Sequence, residues 1–157
     1  MLIKAGYLKP VASGNELDRA SHMAQAILFA VGAVVDPSQS ELVFEWPQIY
    51  DARSPGKTKS DPNKIIPLAA VGGALAPAFC ASRIVLPREW KGQTPKPKSK
   101  RSPYVITDRV KSRLLPSEME VVAGLSNAEW DVWDAIGIGL WDCDRFTRRR
   151  VFPGATH

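Results

Sequence analysis

Hydrophobic and polar positions divide this chain into alternating helical and extended stretches. From Glu16 to Val35 the apolar residues Leu17, Ala20, Ala24, Ile27, Leu28, Val31 and Val35 recur at helical spacing, and Asn15 or Ser13 can cap that helix. Asp36-Pro37-Ser38-Gln39-Ser40 is a turn. Leu42, Val43 and Phe44 form an unbroken apolar run, as in a strand covered on both faces, and Pro47 stops it soon after. Asp61-Pro62 has the form of a helix start. That helix runs through Ile65, Leu68, Ala69, Val71 and Leu75, with Pro67 expected to kink it. Gly72 and Gly73 within it point to close packing against another backbone; no strand-loop-helix glycine pattern precedes them to suggest a phosphate loop. Arg83 to Leu86 is a second strand, ended by Pro87. Ser102-Pro103 opens a helix through Val105, Ile106, Val110 and Leu114, and Pro116-Ser117-Glu118 opens a short one ending near Gly124. Before all of these, Leu2, Ile3, Tyr7 and Leu8 fit a strand, or a pair of strands turning at Gly6.

The most informative stretch is Ser126 to Trp141. Ser126 and Glu129 have capping-box spacing and predict a helix start. Trp130, Val132, Trp133, Ile136, Ile138, Leu140 and Trp141 make that helix apolar on most of its surface, so it is expected to be largely buried. Asp131 and Asp134 nevertheless sit on it, three residues apart and hence on one face. Buried carboxylates need neutralising, and a metal ion is one way to do it. Two acids near a helix start also complement the helix dipole with no further role. Glu45 ends the first apolar strand, where ligand crevices form in open α/β sheets, although a solvated glutamate at a strand tip is an ordinary alternative.

Composition narrows the chemistry. The 157 residues fit one domain, 1–157, with a net charge of +5 that favours a polyanionic partner, nucleic acid first. Cys80 and Cys143 lack metal-type spacing and read as buried thiols in a reducing, cytoplasmic setting. The two histidines are His22, on a helix surface, and His157, so a zinc-histidine or Ser-His-Asp mechanism is poorly supplied. No stretch is long and apolar enough for a membrane span. Arg53, Lys57, Lys59 and Lys64 lie in and just after one Pro-, Gly- and Ser-rich loop, and Lys91, Lys96, Lys98, Lys100 and Arg101 in another. Both sets can follow a phosphate backbone, or simply be solvated. Residues 145–157 form a basic tail carrying Arg145, Arg148, Arg149 and Arg150.

Four segments occur in a telling order: Phe44-Glu45-Trp46-Pro47-Gln48-Ile49-Tyr50, Asp61-Pro62 through Gly72-Gly73-Ala74, Trp90-Lys91-Gly92-Gln93-Thr94-Pro95-Lys96, and Asp131-Val132-Trp133-Asp134 through Trp141. They reach across about two-thirds of the chain, and in this order the sequence resembles the RuvC-like Holliday-junction resolvases of the RNase H-like superfamily, particularly the shorter versions associated with phages and prophages. The resemblance implies an RNase H-like α/β fold, a mixed sheet flanked by helices. It also implies a metal-dependent, structure-selective DNA endonuclease that resolves Holliday junctions in DNA recombination and repair. Glu45, Asp131 and Asp134 would be its catalytic metal ligands, holding Mg2+ with Mn2+ as an alternative, and Lys91 with its neighbours would hold phosphates. The implied partners are branched or double-stranded DNA and a second copy in a homodimer.

One departure bears on activity. The family's first strand carries an aspartate in a Gly-Ile-Asp-Pro-Gly-like motif, which is absent here; Leu2-Ile3-Lys4-Ala5-Gly6-Tyr7-Leu8 looks like the family's later strand. The expectation is an N-terminally incomplete domain with weak or absent cleavage, for which Asp18 and Asp51 have no motif that would make them substitutes. A non-catalytic DNA-binding module derived from such a nuclease, or an enzyme of another class on a similar sheet, are the competing readings.

Overall fold

The structure is a computed structural model that describes residues 2–6, 8–9, 14–46, 62–92, 94, 97, 99 and 102–146, without the side chains of 62–64. Its described residues form a mixed α/β fold of six α-helices and a two-stranded parallel sheet. Strand β1 (Glu41–Glu45) pairs with β2 (Ala81–Val85) in parallel, Glu41 opposite Ala81 and Glu45 opposite Val85. Helix α2 (Pro62–Leu75) lies between them in sequence, as a parallel pair requires of its crossover.

Local signals set the element starts. Asn15 caps α1 (Glu16–Gly32) through a reciprocal box: its side-chain oxygen accepts the Asp18 N–H at 2.9 Å, and the Asp18 carboxylate accepts the Asn15 N–H at 3.3 Å. Asp18 is thereby committed to capping. Asp36 accepts the Ser38 N–H at 2.9 Å and starts the 3-10 turn Pro37–Gln39. Proline at the first helical position opens α3 (Pro87–Trp90) and α5 (Pro116–Val121); α4 spans Val105–Lys111. Pro87 thus both ends the second strand and begins a helix.

β1 separates two packed layers because successive side chains point to opposite faces. Val43 packs against the main core, while Phe44 turns to α2 and covers Gly72 so closely that a Cβ there would lie 2.5 Å from the ring. The main core is built by α6 (Trp130–Asp142), which supplies Val132, Trp133, Ile136, Ile138 and Leu140, with Ile106 and Val110 from α4, Val85 from β2, and Trp90, Tyr104 and Phe146. α1 packs on α2.

Several expectations need correction. β1 is only partly covered, with Glu41 exposed and the rest intermediate, because its sheet has just one other strand among the described residues. Residues 2–6 and 8–9 form no strand. α6 begins at Trp130, four residues after Ser126: the Ser126 hydroxyl accepts the Ala128 N–H and Glu129 accepts the Ser126 N–H at 2.7 Å, closing a separate turn ahead of the helix. Cys80 and Cys143 are exposed, at the edges of elements rather than in the core. His22 is exposed on α1, as expected. No helix among the described residues is long and apolar enough to cross a membrane.

α6 stops in a Schellman motif. The Arg145 N–H reaches the Leu140 carbonyl at 2.7 Å and the Asp144 N–H the Trp141 carbonyl at 3.0 Å, with Asp144 in the left-handed region at φ 57°. This reversal sends Arg145 back into the protein, where its guanidinium makes two bonds to the fully buried Glu118 at 2.8 and 2.7 Å. Arg145 is therefore part of the folded domain rather than of a solvated basic tail; residues 147–157 lie outside the described residues.

Gly137 is the close-approach point between α6 and Trp90. A Cβ at Gly137 would stand 2.6 Å from the buried Trp90 ring. We expect Gly137→Ala to destabilise the fold by about 1 to 2 kcal/mol, the overpacking penalty outweighing alanine's helix preference, as measured by thermal denaturation.

Candidate functional site

Glu45 and Asp134, 89 positions apart in sequence, meet at one cation. Strand alternation turns Glu41, Val43 and Glu45 of β1 to the face that α6 covers. Helical periodicity brings Asp131, Asp134, Ala135, Ile138, Gly139 and Asp142 onto the opposing stripe of α6. Between these walls is a cleft of about 580 Å3, lined by both sets of residues together with Phe44 and Cys143. At one end, the Lys91 ammonium lies 2.8 Å from Asp134 Oδ2 and 3.3 Å from Glu45 Oε2. At the other end, the Arg83 guanidinium pairs with Asp142 and stands 3.8 Å from Glu41.

Each of the two bridged carboxylates has a second, aromatic partner. The Trp90 indole N–H donates to Glu45 Oε2 at 2.9 Å, and the Tyr104 hydroxyl donates to Asp134 Oδ1 at 2.8 Å. Burial and then the hydrogen bond to Asp134 push the Tyr104 phenol well above its ordinary range, so it remains a donor at any physiological pH. Asp134 is buried inside an otherwise apolar stretch, and Lys91 and Tyr104 both help to make this tolerable. Lys91 is itself nearly enclosed, its ammonium 4.8 Å from the Trp90 ring centre.

The sequence-derived acids are thus partly assembled. Glu45 and Asp134 share a partner; Asp131, exposed, lines the same wall one turn nearer the start of α6. Among the described residues no three His, Cys, Asp or Glu side chains form a group able to hold a metal. The donor chemistry still suits a hard divalent cation, since Glu45 and Asp134 each offer carboxylate oxygen to a position already held by positive charge. Trp90 and Tyr104 were not among the predicted site residues. Nothing in their local sequence marks them: Trp90 directly precedes Lys91, and Tyr104 is the N-cap residue of α4, which begins at Val105 rather than at the expected Ser102-Pro103, and both are far in sequence from the acids they bond. Of the proposed DNA contacts, Lys91 is turned into the acid pair. Arg53, Lys57, Lys59, Lys96, Lys98, Lys100, Arg101 and the Lys64 side chain lie outside the described residues.

No family model matches the chain, and neither a curated protein nor a solved structure matches it.

Proposed function

We propose that this chain is a metal-dependent, structure-selective DNA endonuclease of the RuvC-like, RNase H-like type, acting on branched DNA such as a Holliday junction. The observation that supports it best is the convergence of Glu45 and Asp134, from a strand end and a late helix, on a single cation beside a cleft that both acids line. Electrostatics points the same way. Glu41, Glu45, Asp131, Asp134 and Asp142 all line that cleft, so a phosphate can enter only where added positive charge offsets them.

Glu45 and Asp134, with Asp131 on the same wall, would hold Mg2+ or Mn2+, which when bound supplies an activated water and a counter-charge for the leaving oxygen of a phosphodiester. The chain's own residues do the positioning. Tyr104 fixes one oxygen of Asp134, and Trp90 fixes one oxygen of Glu45, so neither carboxylate rotates freely. Lys91 offsets their charge. That same neutralisation favours a second reading, a DNA-binding module whose acids are satisfied internally and perform no chemistry.

Nicking of a four-way junction separates the two. The nuclease reading expects weak, magnesium-dependent cleavage that is lost in Asp134→Asn while salt-sensitive junction binding persists. Equal cleavage by both proteins removes the helix acid from the mechanism. Binding without cleavage by either, persisting when a first strand bearing the Gly-Ile-Asp-Pro-Gly-like motif is added, favours the second reading.

A further inference from the structure

We propose that Lys91 is a built-in competitor of the divalent cation: its ammonium occupies the cation position of the Glu45–Asp134 pair and must leave for a metal ion to enter. The inference rests on the preceding reading that this acid pair takes a divalent cation.

Lysine is a strongly hydrated ion that is seldom buried. Here its side chain is only 10% exposed, and the ammonium touches both carboxylates at once. It is therefore held by charge at the point where the two carboxylates converge. The contrast within the cleft is informative. Arg83, at the far end, is about half exposed and also lies over the Trp141 ring, 5.5 Å from its centre. Lys91 instead follows the four-residue helix α3 and precedes Gly92, whose φ is +64°. Its long aliphatic stem lets the ammonium swing out without any helix unwinding.

Two cations cannot share this position. With Lys91 seated, the trio of Glu45, Asp134 and Lys91 carries one net negative charge. A divalent ion attracts the same two carboxylates twice as strongly as an ammonium at equal distance, and repels the ammonium beside it. Metal entry therefore expels Lys91 toward the cleft. The local charge turns from one negative to one positive, which is what an incoming phosphate requires. Before loading, Lys91 keeps the two acids from repelling one another; after loading, it becomes a free cation beside the cleft. It is a positioning residue for the acid pair in the first state and a phosphate contact in the second.

The test is Mn2+ binding, read by the electron paramagnetic resonance signal of the free ion, in the full chain and in Lys91→Met. Removing the competitor should tighten Mn2+ binding by about tenfold, the worth of one charge-assisted contact. Equal or weaker binding by Lys91→Met overturns the competition while leaving the metal reading intact. Absence of Mn2+ binding in both proteins overturns both. Should Lys91→Met fail to fold, the natural chain gives the same answer. Acetylation of Lys91 by an amine-reactive ester, followed by mass spectrometry, should accelerate when Mn2+ is added; an unchanged rate under saturating Mn2+ overturns the proposal.

Discussion

Glu118→Gln is expected to cost about 3 kcal/mol of folding stability, because four N–H donors converge on its buried carboxylate. Its side chain is fully buried and accepts from four N–H groups. The Leu2 N–H at 2.7 Å and Arg145 Nη1 at 2.8 Å reach Oε1, and the Leu115 N–H at 2.8 Å and Arg145 Nη2 at 2.7 Å reach Oε2. A glutamine replaces one of those oxygens with an NH2 group that faces donors, so at least one buried pair is left facing the wrong way. Arg145 keeps part of its surface in water and a bond to the Arg113 carbonyl, which places the cost at the lower end of that for a broken buried ion pair. The hydrogen bonds from Arg145, then those from the Leu115 and Leu2 amides, hold the Glu118 carboxyl well below its usual 4.5 despite its burial. The folded state thus binds this proton less readily than the unfolded one. The stabilisation is complete above about pH 4.5 and is lost as pH falls from there toward the lower folded value. Urea denaturation at pH 7, 5 and 3 should show the natural chain and Glu118→Gln converging as the medium becomes acidic. A constant gap across that range would mean that the charge of Glu118 contributes nothing.

Glu118 also marks where sequence reasoning stops. Its local role is legible: a glutamate three residues past the helix N-cap accepts the cap's N–H, as Glu89 does for Leu86 at 2.6 Å. Nothing local announces Leu2, 116 positions away, or Arg145 beyond α6. The same division runs through the whole chain. Asn15, Asp36 and the prolines at 62, 87 and 116 act on their own first turns, and the element starts follow them closely. The order strand, helix, strand is enough to expect a parallel pair, and the acids of β1 and α6 were identifiable because carboxylates stand out in apolar runs. What escaped were the partners of those acids. In the sequence Trp90 stands at the head of a basic loop and Tyr104 just after a proline, with nothing to point to an acid partner; both prove to be core, and their polar tips find Glu45 and Asp134 across 45 and 30 positions, a pairing that only packing determines. The cysteines were misjudged for the converse reason. Average burial describes a residue type, while Cys143 follows the last turn of α6 and Cys80 the turn before β2, where the backbone is already at the surface.

Trp90→Ala should be at least as damaging as any single change in the core, at about 3 to 5 kcal/mol. The ring is 2% exposed, fits over Gly137, and lies 5.7 Å, centre to centre, from the buried Phe146 ring. Since a glycine already faces it, α6 has no side chain at that point with which to refill the space, and the cavity would persist. Trp90→Phe separates the two jobs of this residue. It keeps an aromatic ring over Gly137 and removes the N–H that reaches Glu45 at 2.9 Å. Glu45 is partly exposed and retains Lys91, so its loss of one donor should cost only about 1 to 2 kcal/mol, including the smaller ring. The functional effect should run in the opposite order to the stability cost per atom removed. With the indole donor gone, Glu45 is no longer held in one orientation toward Lys91 and Asp134, and the two carboxylates lose their fixed convergence while the fold survives. Guanidinium denaturation of both variants checks the first statement, and Mn2+ titration of Trp90→Phe checks the second. If Trp90→Phe proves as unstable as Trp90→Ala, the indole N–H rather than the packed ring supports this part of the fold, and the acid pair is a structural element before it is anything else.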